Sequence, residues 1–90
     1  MSGWFVYLIE CVDGSLYTGI ATDVARRYGE HVAGRGARYT RSHPPRLLLG
    51  CAAVADRSAA LKAEHALRRL DPAGKRAWIA ANDAPATEPA

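Results

Sequence analysis

Five side chains of this sequence could take part in catalysis if the fold brought them together. They are two phenols, a guanidinium group, an imidazole and a carboxylate: Tyr7, Tyr17, Arg27, His31 and Glu64. Groups of these types transfer protons and stabilise negative charge in enzymes. Whether they meet depends on the strands and helices that carry them.

The two tyrosines lie on segments that predict a β-hairpin. Residues 4–11 are a nearly unbroken apolar and aromatic run, and residues 15–20 resume that pattern after Val12-Asp13-Gly14. If these three residues form the loop with the glycine left-handed, Tyr7 and Tyr17 share a face of the sheet as diagonal neighbours. A two-residue turn would instead put the tyrosines on opposite faces.

Arg27 and His31 lie on a predicted helix beside this hairpin. Both faces of the first strand are apolar, which is typical of a strand that is covered on both sides. Thr22 or Asp23 can cap a helix that runs to about Ala33, and Arg27 and His31 fall on one stripe of it. The imidazole and the guanidinium group are thus expected to face the sheet together.

The remaining elements complete a small α+β fold. Residues 46–55 predict a third strand, interrupted by Gly50. Asp56 or Ser58 begins a second helix that carries Glu64, and Asp71-Pro72 begins a third that continues through residues 75–82. The order β-β-α-β-α-α predicts a three-stranded antiparallel sheet flanked by helices. On this reading all five side chains converge on one side of the sheet.

Positive charge is concentrated between residues 26 and 46, which indicates an anionic partner. The chain has a formal net charge of +3, and ten of its twelve cations are arginine, whose planar group suits phosphate. Residues 34–45 combine glycine, proline and arginine without periodicity, so we predict an exposed basic loop there. Four side chains of this loop are candidate nucleic-acid contacts: Arg35, Arg38, Arg41 and His43.

Length and composition predict one domain. Ninety residues fit a single unit, which we place at residues 1–83, followed by a disordered tail at residues 84–90. Cys11 and Cys51 are too few for a disulfide scaffold and are expected to be buried thiols. The start resembles no signal peptide and no run is long enough to span a membrane. These features predict a cytoplasmic protein without a membrane partner.

Together the motifs resemble the GIY-YIG nuclease superfamily. Val6-Tyr7-Leu8 stands where the family has its GIY, and Tyr17-Thr18-Gly19 stands where it has YIG. Arg27 and His31 match the family helix that supplies an arginine and then a histidine or tyrosine, and Glu64 matches its metal-binding carboxylate. The start of the chain and the segment Gly-Arg-Gly-Ala-Arg-Tyr-Thr are similar to bacterial single-domain members. The resemblance covers residues 4 to about 70.

The resemblance implies a metal-dependent endonuclease that hydrolyses phosphodiester bonds. Glu64 would hold Mg²⁺, with Mn²⁺ as an alternative, and Arg27 would donate to the charge that develops on the phosphate. A tyrosine, Tyr17 in preference to Tyr7, would take the proton from the attacking water with the help of His31. DNA is expected rather than RNA, in repair or processing, and a protein partner could supply the specificity that a chain this short lacks.

Two other functions remain open from the residues alone. The fold and basic loop could serve a nucleic-acid-binding module without catalysis, and a protein-interaction domain could carry the same arginines incidentally. The five candidate catalytic residues could also have ordinary structural roles, since aromatic residues are common in strands and an exposed helical glutamate is usually solvated. Arg27, in particular, could simply pair with Glu30.

Overall fold

A computed structural model describes residues 3–83 and confirms the α+β fold. Its elements in chain order are β1 (Trp4–Cys11), β2 (Leu16–Ala21), α1 (Val24–Val32), α2 (Arg38–Ser42), β3 (Pro45–Val54), α3 (Arg57–Arg68) and α4 (Pro72–Asn82). The predicted disordered tail lies outside the described residues. None of the helices within the described range is long and apolar enough to cross a lipid bilayer.

The hairpin has the three-residue loop that brings the tyrosines to one face. The Cys11 N–H donates to the Ser15 carbonyl at 2.8 Å, and Gly14 has a φ of +86°, which a residue with a side chain rarely adopts. Tyr17 therefore pairs with Ile9, which lies two residues along β1 from Tyr7 and on the same face of the sheet. The alternative two-residue turn, which would have separated the phenols, is excluded.

The sheet is antiparallel, with β1 in the centre and β2 and β3 at its edges. The predicted interruption of the third strand at Gly50 is wrong, because β3 is continuous and Gly50 pairs with Leu8. The irregularity falls one residue earlier, at Leu49, where the register shifts. A side chain at Gly50 would meet the Asp83 carboxylate, which accepts the Cys51 N–H at 2.8 Å.

Each face of the sheet has its own apolar core, as the sequence of β1 predicts. On one face α1 packs over the side of β1 that carries Tyr7, where Val24 is fully buried. On the other face α3 and α4 pack through Leu67 and Ile79 against Val6 and Leu8. The helices α1 and α3 thus lie on opposite sides of the sheet.

Three aspartates fix the starts of the longer helices. Asp23, Asp56 and Asp71 each accept a backbone N–H from the third residue that follows, at 3.0, 2.8 and 2.8 Å. This is the geometry of a helix N-cap, and it satisfies a donor that the helix cannot pair internally. The predicted boundaries of these helices are confirmed to within a few residues.

The segment predicted as an exposed loop contains the short helix α2, so that prediction is only partly right. The His43 N–H donates to the Tyr39 carbonyl at 2.8 Å, and the Thr40 hydroxyl donates to the Ala37 carbonyl at 3.0 Å. Thr40 is 2% exposed and is the single buried anchor of α2. One anchor in five residues leaves no periodic apolar pattern, which explains why the sequence shows only a polar loop.

Candidate active site

Tyr7 and His31 form a buried hydrogen bond at the centre of the candidate site. Each is 1% exposed, and the Tyr7 hydroxyl lies 2.8 Å from His31 Nε2. On the other side of the imidazole, Nδ1 lies 2.7 Å from Thr40 Oγ1. One polar network therefore joins β1, α1 and α2 in the interior.

The partners of Thr40 indicate which nitrogen of His31 carries the proton. The single hydrogen of the Thr40 hydroxyl is donated to the Ala37 carbonyl at 3.0 Å, so its oxygen accepts from His31 Nδ1. Nε2 then has a lone pair that accepts the Tyr7 O–H. This assignment gives each of the three short hydrogen bonds one donor and one acceptor. The longest contact, 3.5 Å from the Ala37 N–H to Nδ1, is then not a hydrogen bond, because Nδ1 carries a proton and cannot accept.

Tyr17 lies beside this pair and is more accessible. Its ring centroid is 6.4 Å from that of Tyr7 and 5.1 Å from that of His31, whereas its side chain is only half-buried. The sequence suggested that His31 would assist Tyr17. The structure instead gives the hydrogen bond of His31 to Tyr7, and Tyr17 meets the imidazole edge to face.

Burial dominates the proton equilibria of the three rings. Burial, reinforced by the neighbouring Tyr17, raises the pKa of Tyr7 to about 12. Burial also raises the pKa of Tyr17, and Arg27 opposes that shift most strongly. Burial, with the charge of Arg27, lowers the pKa of His31. At neutral pH both phenols are therefore protonated and the imidazole is neutral.

Arg27 lies on α1 where its charge reaches both phenols. The guanidinium group donates to Glu30 at 2.8 Å, and Arg26 lies 3.6 Å from the same carboxylate. The ion pair that was the ordinary explanation for Arg27 is therefore present. The ion pair does not take Arg27 out of reach of the phenols, because the charge of Arg27 still lowers the pKa values of both Tyr7 and Tyr17. The pair with Glu30 holds the arginine in place beside the tyrosines.

Glu64 approaches from the other side of the sheet, so the prediction that all five residues lie on one side of the sheet is wrong for this residue. Its helix α3 packs against the face opposite Tyr7. The Glu64 side chain is 16% exposed and lies 3.2 Å from Arg68. Its charge nevertheless raises the pKa values of both Tyr7 and Tyr17. Because β2 is an edge strand that α3 contacts, we place the carboxylate at that edge, near the phenols.

A hydrated magnesium or manganese ion fits the donors at this edge. Within residues 3–83 no three histidine, cysteine, aspartate or glutamate side chains form a cluster that could hold a cation. A single oxygen ligand is too few for a structural zinc site, which uses four protein ligands. It suits Mg²⁺, which commonly keeps several waters and takes one or two carboxylates together with substrate phosphate. Glu64 is the candidate ligand.

The candidate nucleic-acid contacts differ in their availability. Arg35, Arg38 and Arg41 are exposed, and none of them forms an ion pair with a carboxylate of the described residues. His43 is more constrained, because its Nδ1 lies 2.7 Å from the Asp13 carboxylate and its ring stacks on Tyr39 at 4.1 Å. The three arginines can therefore meet phosphate directly, whereas His43 has two partners already.

Sequence reasoning missed three residues that shape the site. Thr40 fixes the imidazole, and Gly19 and Gly36 provide space, since a Cβ at Gly19 would collide with the Tyr7 ring and one at Gly36 with His31. Thr40 and Gly36 lie in the segment that resembles single-domain family members, and Gly19 ends the YIG-like motif. The motifs that contain these residues were the signal available in the sequence. Motif spacing alone, however, does not reveal that these residues contact Tyr7 or His31.

Comparisons with known proteins identify the family of this chain and agree with its fold. A family model described as the GIY-YIG catalytic domain matches residues 3–76. A UPF0213 protein of Cupriavidus necator is 53% identical over 89 residues, covering 99% of this chain and 95% of the relative. UPF0213 protein YhbQ of Escherichia coli is 45% identical over 80 residues, covering 89% and 80%. The solution structure of a UPF0213 protein from Bacillus halodurans is 36% identical, with a TM-score of 0.55, and the match covers 92% of this chain and 88% of that one.

Proposed function

This chain belongs to the GIY-YIG catalytic-domain family, and on that premise we propose that it is a metal-dependent endonuclease that hydrolyses phosphodiester bonds in DNA. The observation that carries the proposal is the joining of four functional groups around one buried hydrogen bond. Tyr7 and His31 form that bond, and Tyr17 and Arg27 lie beside it on the same face of the sheet.

We propose different roles for the two tyrosines because they differ in burial. Tyr7 is 1% exposed and its hydroxyl is committed to His31, so it has no access to an attacking water. Tyr17 is half-buried and lines a surface cavity. We assign Tyr17 as the general base that takes a proton from water. Tyr7 and His31 act as positioning residues, because their hydrogen-bonded rings form the surface against which Tyr17 packs.

Arg27 serves both the base and the phosphate. Its positive charge favours the deprotonated form of Tyr17, which burial disfavours. The same guanidinium group can donate hydrogen bonds to the oxygens that gain negative charge as the phosphodiester is attacked. Its ion pair with Glu30 keeps it oriented before substrate arrives.

Glu64 would hold Mg²⁺ or Mn²⁺ at the edge of β2. When bound, the ion supplies a positive charge that polarises the scissile phosphate and stabilises the leaving oxygen. Arg68, which pairs with Glu64 at 3.2 Å, neutralises the carboxylate in the protein alone. Arg35, Arg38 and Arg41 would hold the strand through phosphates without reading its sequence. The biological setting that we propose is DNA repair or processing in the cytoplasm, with a protein partner supplying specificity.

A cleavage assay with matched tyrosine variants tests this proposal. Purified protein is incubated with labelled single-stranded, duplex and branched DNA in Mg²⁺, Mn²⁺ or EDTA. We expect cleavage that needs the metal and that falls by at least about two orders of magnitude in Tyr17→Phe. Tyr28→Phe is the matched control, because Tyr28 is half-buried on the same face of the sheet but has no assigned role.

Two outcomes would contradict the proposal. Cleavage by Tyr17→Phe at the wild-type rate would remove Tyr17 as the base. If wild-type protein binds these substrates but cleaves none of them in either metal, the non-catalytic binding module becomes the better description.

A further inference from the structure

A cavity of about 270 Å³ adjoins the candidate active site along β2. It is lined by Leu16, Tyr17, Thr18, Tyr39, Arg68 and Lys75. We propose that this cavity binds one unstacked nucleotide of the substrate strand, next to the bond that is cut. The inference rests on the proposed nuclease function and adds a binding site to it.

Thr18 carries the observation that points to a ligand. It is 3% exposed, yet its Oγ1 has no hydrogen-bond partner among the described residues. Buried hydroxyls almost always have a partner, and each exception needs a physical reason. This oxygen is shielded from solvent, so a base edge in the cavity that Thr18 lines would supply the missing donor or acceptor once the side chain turns toward it.

The aromatic wall of the cavity is suited to stacking. Tyr39 is 38% exposed, and its ring is nearly parallel to that of Tyr17, at 5.9 Å and 22°. The Tyr39 ring also stacks on His43, with the centroids 4.1 Å apart and the planes 20° from parallel, and His43 is in turn held by Asp13. The rings are thus fixed before substrate binds. Stacking on aromatic side chains is how proteins bind unpaired bases, because every base has a π face.

Two cations complete a site for a nucleotide rather than for an apolar ligand. Lys75 is half-buried, and its ammonium group forms no ion pair with any described carboxylate. Arg68 lines the cavity and pairs with Glu64 at 3.2 Å, so it connects the cavity to the candidate metal ligand. The positive groups can bind the phosphate of a nucleotide while its base stacks on the neighbouring tyrosine rings.

The size and position of the cavity define its occupant. Its volume lies just below the usual range of ligand pockets, which starts near about 300 Å³, so it takes at most one nucleotide and not a segment of duplex. Tyr17 belongs both to the cavity and to the candidate active site. A nucleotide held here would therefore be a neighbour of the scissile phosphate, and it must leave the helical stack to enter.

Binding in EDTA tests the stacking step without cleavage. The probes are a fluorescein-labelled chain of five thymidines and a chain of five abasic sugar phosphates with the same label. We expect wild-type protein to prefer the thymidine chain by at least about fivefold, the low end of base–aromatic stacking. Tyr39→Ala should remove that preference, and Tyr39→Phe should retain it because the ring remains.

The two lysines of the chain give a matched test of the phosphate contact. Lys75→Gln should weaken binding of both probes and reduce the log-log salt slope by about 0.7, the value for one phosphate of a single strand. Lys62→Gln removes the same charge from an exposed position on α3 outside this cavity and should leave both quantities unchanged. Equal losses in the two variants would overturn the assignment of Lys75.

Thr18→Val tests the unpartnered hydroxyl. It should lower affinity for the thymidine chain while raising the melting temperature, because an apolar group of the same shape removes a buried polar atom that nothing satisfies. A lowered melting temperature would mean that the hydroxyl already has a partner, which would contradict its role.

The outcomes separate this inference from the nuclease proposal. If wild-type protein cleaves DNA but the Tyr39→Ala and Lys75→Gln variants bind both probes as wild type does, the cavity is not a nucleotide site. If the base preference is present but no metal supports cleavage, the nuclease proposal fails and the binding site stands. Free thymidine monophosphate that binds as tightly as the chain would show a site for free nucleotides and overturn the assignment to a strand.

Discussion

At the scale of single residues, burial sets the proton chemistry of the candidate site. It raises the pKa of both tyrosines and lowers that of His31. The most accessible of the three rings is Tyr17, and Arg27 is the strongest influence that favours its ionised form. The charge of Arg27 therefore offsets part of the effect of burial on the proposed base.

The raised pKa of Tyr17 predicts a rate that increases with pH. A base must be deprotonated to act, and burial raises this pKa above the ordinary value of 10.0. Below its pKa the deprotonated fraction increases tenfold per pH unit, so log kcat/KM should rise with a slope of about 1 from pH 6.5 to 9. The pKa of His31 is lowered from 6.5, so His31 is mostly neutral over that range and its titration does not make the rate fall as pH rises.

Single-turnover cleavage at saturating metal measures this profile, with substrate affinity in EDTA measured separately at each pH. A rate that is independent of pH, or that falls as pH rises, would contradict the role of Tyr17. If the rising part of the pH–rate profile shifts when Mn²⁺ replaces Mg²⁺, in line with the acidity of the hydrated ion, then the titrating group would be a water of that ion and not Tyr17.

At the scale of elements, two glycines allow β2 and the segment before α2 to lie close to the buried rings, because neither glycine has a side chain. Gly19 on β2 lies against the Tyr7 ring, and Gly36, before α2, lies against His31. In both places a Cβ would meet an atom that makes one of the buried hydrogen bonds, the Tyr7 hydroxyl or His31 Nδ1, and would have to displace its ring. These glycines therefore hold open the space in which the tyrosine and the imidazole meet.

Gly19→Ala should damage the site through packing alone. Overpacking of this kind costs roughly 1–3 kcal/mol of stability, and displacement of the Tyr7 ring should also lower the cleavage rate. Gly29→Ala is the matched control, because Gly29 lies in α1 with nothing within 4 Å of its Cβ position. It should stabilise the protein by about 0.5–1 kcal/mol through helix propensity. Urea unfolding measures both, and a Gly19→Ala variant as stable as Gly29→Ala would contradict the packing account.

The elements also show how far the sequence alone predicts the site. Local patterns predicted the hairpin and the helices that begin at aspartate caps, but they left two hairpin registers open, and the three-residue loop with a left-handed Gly14 decides between them. They could not reveal α2, because its only buried anchor is Thr40. They also placed Glu64 on the wrong side, since periodicity assigns residues to a helix face but does not say against which face of a sheet that helix packs.

At the scale of the whole molecule, charge placement predicts how nucleic acid is attracted. The arginines between α1 and β3 are exposed and unpaired with described carboxylates, in contrast to Arg46 and Arg76, which both pair with Glu10. Cations that already have carboxylate partners contribute less to attraction of phosphate than exposed unpaired ones. We therefore expect the arginines between α1 and β3 to contribute more to the attraction of nucleic acid than Arg46 and Arg76 do.

Replacing Arg35, Arg38 and Arg41 together by serine tests this electrostatic surface. The salt slope for duplex DNA should fall by up to about 2.7, because each neutralised phosphate contributes about 0.9. A control variant replaces Arg57, Lys62 and Arg69 by serine and has the same net charge. Fluorescence anisotropy over a salt series gives both slopes. Equal losses in the two variants would mean that net charge, and not this surface, determines binding.

The central claim is that Glu64 holds the catalytic metal although its helix lies on the opposite side of the sheet from the tyrosines. The measurement that tests it most directly is the cleavage rate of Glu64→Gln against Mg²⁺ and Mn²⁺ concentration, beside that of Glu10→Gln. Glu10 is the matched control because it is similarly shielded, at 15% exposed, and also pairs with arginine. We predict that Glu64→Gln loses at least about two orders of magnitude in rate while Glu10→Gln cleaves normally, with DNA affinity in EDTA not reduced in either. Metal-dependent cleavage by Glu64→Gln at the wild-type rate would contradict the claim.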